Sequence, residues 1–184
     1  MSIAAFSVWA FAGRWLGQNF GEAGLYIGCL IIFLGVSGLL LRSLVLGPNS
    51  LGRFYKIFTP AFLAYAMVWS AAWFELHFGA GEWAGSLGGC AVFVALVGRG
   101  FGNYRGFAMA CLVMFVCHSA GYFLGGKCMG WILSPGGGGG GVLSGFSKAQ
   151  LSVAGKLSWG LFYGLGFGAG MGYVFFVFQR TRMT

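Results

Sequence analysis

What most constrains this chain is a series of long, nearly uncharged apolar runs at residues 23–46, 59–78, 81–98, 106–124 and 157–178. A helix needs about 20 apolar residues to cross a hydrocarbon core of about 30 Å. Inside that core the backbone must satisfy its own hydrogen bonds, which leaves helices and closed barrels. Barrel strands are about ten residues of alternating polarity, so runs this long predict an all-α fold. The expectation is a polytopic transmembrane helical bundle of five spans, forming a single membrane domain over residues 1–184. Composition removes the other classes. The chain is 58% hydrophobic and 8% charged, whereas a soluble domain carries about 25% charge. Its 18% aromatic content argues against disorder. Its 36 glycines stand beside only 3 prolines, without the triplet period of collagen.

Turn and capping signals set the boundaries. Gly47-Pro48-Asn49-Ser50 closes the first run. Thr59-Pro60 opens the second, with Thr59 as N-cap and Pro60 at the first helical position. The third is short and borrows Gly81 to Trp83 and Gly98 to reach a spanning length. Before the first run, Ser7, Arg14 and Gln18 share one face of an apolar segment. This predicts an interfacial amphipathic helix over residues 1–20, with a sixth span as the alternative. Ala10-Phe11-Ala12 is similar to a signal cleavage site, but no basic residue precedes it. Residues 134–146, with six successive glycines from Gly136 to Gly141, predict a flexible outer loop. The Gly-Lys-Ser/Thr ending of a phosphate-binding loop is missing. Ser147 and Gln150 form a capping box for the last helix.

The formal charge of +8 does not point to nucleic acid, because the basic residues stand between apolar runs rather than along a soluble face. They order the topology instead. With the N-terminus outside, one side receives Arg42, Arg53, Lys56, Arg99, Arg105, Arg180 and Arg182 and no acid. The other receives Arg14, Lys127, Lys148 and Lys156 with Glu22, Glu75 and Glu82. The positive side is the cytoplasm or its equivalent, and it holds the C-terminus. Trp15, Trp73, Trp83, Trp131 and Trp159 fall near the outer interface, and Tyr55 and Tyr104 near the inner one, as headgroup anchors do.

Glycine spacing is the most specific pattern in the chain. Gly160, Gly164, Gly168 and Gly172 recur every fourth residue, with Gly166 and Gly170 between them. Gly81, Gly85 and Gly89 repeat the spacing in the third run. A glycine within a helix costs about 1 kcal/mol relative to alanine. In lipid that cost is offset where small residues let two helix backbones touch. These glycines therefore predict close helix seams, joining either the chain's own helices or a second copy or another membrane subunit. The run from Gly164 to Gly172 resembles the inner helix of rotary-ATPase ring subunits and the glycine zippers of cristae-shaping mitochondrial proteins. The resemblance implies close packing and oligomerisation. The embedded carboxylate of the ring subunits has no counterpart here.

Candidates for chemistry are few. His118 is the ionisable residue well inside a span, where such a group marks function by default. Glu75, His77 and Glu82 gather at the neighbouring helix ends and, with His118, form a candidate polar site for a divalent metal or a proton relay. The alternative is that these three are ordinary interfacial residues and His118 a neutral, hydrogen-bonded core group. Gly35-Val-Ser37-Gly38 and the segment from His118 to Gly125 look like the serine and histidine motifs of rhomboid proteases. Ser37, however, falls in the inner half of its run and His118 in the outer half of its own. Cys29, Cys90, Cys111, Cys117 and Cys128 fit no metal spacing and read as small core residues, with a Cys29–Cys128 bridge conceivable. No catalytic residue, metal site or cofactor is expected. The expected function is that of a membrane structural or accessory subunit assembling through glycine seams. A small channel or transporter with His118 in its path is the alternative, and an intramembrane enzyme the third.

Overall fold

The structure is a computed structural model and describes residues 1–44, 50–77, 79–134, 141 and 143–180. It is 91% helix, with no strand among the described residues. The helices are α1 (Ser2–Ser7), α2 (Gly13–Leu41), α3 (Ser50–Leu76), α4 (Ala80–Phe101), α5 (Phe107–Leu133) and α6 (Lys148–Arg180). A π-helical turn, Val8–Ala12, joins α1 to α2, and a 3-10 turn, Arg42–Leu44, follows α2. Five helical stretches are long and apolar enough to cross a membrane: Ser2–Leu41, Ser50–Leu76, Ala80–Phe101, Phe107–Leu133 and Lys148–Gln179. The chain is thus a helical bundle of the kind its apolar runs require.

The chain divides into two compact units, residues 1–37 with 120–165, and residues 38–119 with 166–184. In the first, the stretch Ser2–Leu41 reverses at Gly21, whose φ of 68° lies in the left-handed region. Glycine enters that region without the steric penalty of a Cβ. Residues 2–20 therefore fold back antiparallel along residues 22–37. Gly13 faces Leu25, Gly28 faces Val8, and the Cys29 thiol reaches the Ala5 carbonyl at 3.4 Å. The first arm also runs antiparallel to the first half of α6, where Cβ atoms built on Gly164 and Gly160 would meet Ser2 and Phe6. Phe6, Trp9, Tyr122, Trp159 and Tyr163 form an aromatic cluster there. Arg14 and Gln18, predicted to share a polar face, are both exposed.

The second unit holds the helix hairpin of α3 and α4. A Cβ on Gly81 would lie 2.7 Å from the Ala72 carbonyl oxygen, and one on Gly85 3.0 Å from that of Trp69. A Cβ on Gly89 would lie 2.8 Å from the Tyr65 ring. Gly81 and Gly85 thus lie against the α3 backbone, and Gly89 against the Tyr65 ring. The core of this unit is aromatic: Phe54, Phe58, Phe93, Phe167, Phe175 and Phe178 are fully buried.

Two boundary expectations change and a third holds. Pro60 does not open a helix but lies inside α3, which begins at Ser50. The proline removes one ladder donor, and its side chain is exposed within α3. The helix containing the fourth run continues past residue 124 to Leu133, with Gly125 packed against Trp159 of α6. The last helix starts at Lys148, where Ser147 Oγ accepts the Gln150 N–H and Gln150 Oε1 accepts the Ser147 N–H. That is the capping box read from the sequence. The turn expected at Gly47-Pro48-Asn49 and most of the glycine loop lie outside the described residues.

Candidate functional site

His118 is the buried polar group with the most defined surroundings. It is fully buried on α5, and its Nε2 lies 2.6 Å from the Tyr65 hydroxyl on α3. The two share a hydrogen bond whose direction follows the imidazole tautomer. Phe167 on α6 packs against both rings, with centroids 5.2 Å from Tyr65 and 6.0 Å from His118. Phe62 and Phe93 complete the layer around Phe167 at 5.8 and 5.7 Å. One ring layer thus draws on α3, α4, α5 and α6. Local sequence explains the placement. Gly89 lets α4 approach α3 at the turn carrying Tyr65, and the Cβ position of Gly170 faces Met114, one turn before His118.

The other polar residues predicted for a site do not join this pair. Glu75 is ten residues beyond Tyr65 on α3, about 15 Å along a helix. His77 follows the end of α3 and adopts a φ of 54°. Its N–H donates to Trp73 O and its carbonyl accepts from the Gly81 N–H. Histidine is one of the side chains that tolerate this conformation, and the residue works here as a turn. Glu82 sits in the first turn of α4, where its charge complements the helix dipole. Among the described residues no three His, Cys, Asp or Glu side chains are gathered as metal ligands. Ser37 Oγ lies 2.5 Å from Phe33 O on its own helix and 3.2 Å from Met1 Sδ. It does not show the histidine partner of a serine nucleophile. All five cysteines are free thiols, so the conceivable Cys29–Cys128 bridge is not formed.

Two further polar residues, Ser86 and, from the His118–Gly125 segment, Ser119, share the interior of the second unit. Ser86 on α4 is fully buried and Ser119 on α5 is 5% exposed. Neither hydroxyl has a hydrogen-bond partner among the described residues. Tyr65, the partner of His118, was legible only as a tyrosine six residues after Thr59, too deep in its run for a headgroup anchor.

The glycines predicted to form a seam in the last helix divide between partners. Gly160 and Gly164 face the first arm, Gly170 faces α5, and the Cβ position of Gly172 is open. On α5, Gly126 and Gly130, one helical turn apart, also have open Cβ positions. Family models, curated proteins and solved structures all yield no match to this chain.

Proposed function

We propose that this protein is a structural or accessory subunit of a membrane assembly, with its C-terminus on the positively charged side and the Gly21 reversal on the other. The observation that carries this reading is the dispersal of the polar groups. His118 is bonded to Tyr65 inside a ring layer, while Glu75 lies near the end of α3, His77 forms the turn after it and Glu82 opens α4. A solute path or reactive centre needs such groups to converge on one space. The seams at Gly81, Gly85, Gly89, Gly160 and Gly164 are occupied by the chain's own helices. Gly126 and Gly130 keep the small-xxx-small spacing with nothing among the described residues within 4 Å of their Cβ positions, and that spacing suits a second copy or another membrane subunit. Gly168 belongs to the same predicted zipper, and Gly172 leaves a further open position. The partners in this reading are the bilayer and membrane proteins, with no nucleic acid. The experiment is to purify the chain from its own membrane in lipid nanodiscs and determine what accompanies it. A second copy or a stoichiometric subunit is expected, and an isolated monomer contradicts the proposal.

A transport reading is kept alive by one observation, the partnerless hydroxyls of Ser86 and Ser119. Buried polar atoms of this kind are commonly satisfied by water or a bound molecule. Solute uptake by vesicles carrying the protein, abolished by His118→Phe, distinguishes this function from the structural one.

A further inference from the structure

Within the first unit, four cations from three helices fall at one depth. The first arm and α6 run antiparallel, with Ser2 at Gly164, Phe6 at Gly160 and the Trp9 ring 4.9 Å from Lys156 Nζ. Continued along the arm, that register brings Arg14 to the turn of α6 between Lys148 and Lys156. Helices α5 and α6 are also antiparallel, with Gly125 at Trp159 and Gly155 at Met129, which sets Lys127 level with Lys156. Arg14, Lys127, Lys148 and Lys156 therefore share a band about 13 Å deep. The same register brings Trp15 and Trp131 into it. Arg14, Lys127 and Lys148 are exposed, as are Trp15 and Trp131, and Lys156 is half-buried against Trp9. Glu22, beside the Gly21 reversal, is the one acid of this unit.

The length of α6 gives the band its depth in a membrane. Its 33 residues make a rod of about 50 Å, against a hydrocarbon core of about 30 Å. Residues 157–178 carry no charge, so the surplus length falls at the Lys148 end. Exposed tryptophans beside lysine and arginine at the end of an apolar span are the side chains that suit the headgroup region.

We propose that this band binds the phosphate groups of anionic phospholipids in the leaflet it faces. The cations supply charge and hydrogen bonds to the phosphodiester. Trp15 and Trp131 hold the glycerol region, and Trp9 keeps Lys156 extended toward the headgroup by a cation–π contact.

The test is native mass spectrometry of the full chain released from nanodiscs of equal phosphatidylcholine and phosphatidylglycerol, scoring which lipid stays bound. Enrichment of phosphatidylglycerol is expected. It should fall about fivefold for each exposed cation removed by Lys127→Gln or Lys148→Gln and weaken at high salt. Both side chains are exposed, so retained helical circular dichroism separates lost binding from lost folding. Arg99→Gln and Arg105→Gln, on the second unit, should leave the enrichment unchanged. Equal retention of the two lipids overturns the proposal, as does loss of enrichment only in the Arg99 and Arg105 variants. Displacement of the lipid by inorganic phosphate alone assigns the band to free phosphate and also overturns it.

Discussion

Tyr65 and His118 meet at 2.6 Å between α3 and α5, fifty-three positions apart in the chain, with Phe167 of α6 against both rings. Removing one partner of a buried hydrogen bond leaves the other unsatisfied and costs about 1–3 kcal/mol. Across transmembrane helices the interaction itself averages about 0.6 kcal/mol. Tyr65→Phe and His118→Leu are each expected to destabilise by about 1–3 kcal/mol. The double variant should cost less than the sum. Unfolding in detergent and denaturant, read as a double-mutant cycle, checks this. Strict additivity would show that the pair does not hold α3 to α5.

The α3–α4 seam predicts a graded glycine series. Gly81→Ala places a methyl 2.7 Å from the Ala72 carbonyl oxygen, which cannot rotate away. It should destabilise by about 1–3 kcal/mol, as overpacking does. Gly172→Ala adds a methyl to open space and should be neutral or stabilise by up to about 1 kcal/mol. Thermal unfolding of both variants in one detergent gives the comparison, and equal effects would contradict the seam.

The two turn positions behave oppositely. His77 already occupies the left-handed region at φ 54°, so His77→Gly should be tolerated or stabilising. Gly21, at φ 68°, has no Cβ to strain, and Gly21→Val should cost about 1–2 kcal/mol or open the hairpin. Opening is measured with Ala5→Cys, at a position whose backbone carbonyl lies 3.4 Å from the Cys29 thiol across the two arms. The Ala5→Cys protein should form the bridge under mild oxidation, and the Ala5→Cys/Gly21→Val protein should form less of it.

Much of the fold is legible in the sequence because the bilayer sets a length scale. Uncharged runs of spanning length mark the helices, and the Ser147–Gln150 capping box marks one start to the residue. What the sequence hides is long-range. Gly21 looks like any other glycine until its φ is known, and only that angle turns residues 2–41 into a hairpin. Pro60 reads as a helix start because proline favours the first helical position, although here α3 begins ten residues earlier at Ser50. The site is less legible still. His118 stands out by its charge chemistry, but Tyr65 becomes its partner only through the register of α3 against α5. His77 reads as a ligand by residue type, whereas its backbone conformation makes it a turn.

The central claim is that the inner seams build the chain and the open glycines join it to a partner. The most direct measurement is the mass and helicity of nanodisc-held particles for the unaltered chain, Gly164→Leu and Gly126→Leu/Gly130→Leu. Gly164 faces Ser2 and should fail as a folding change, while Gly126 and Gly130 face open space and should lose the partner but keep the helices. A monomeric unaltered chain, or an assembly that Gly126→Leu/Gly130→Leu leaves intact, would contradict it.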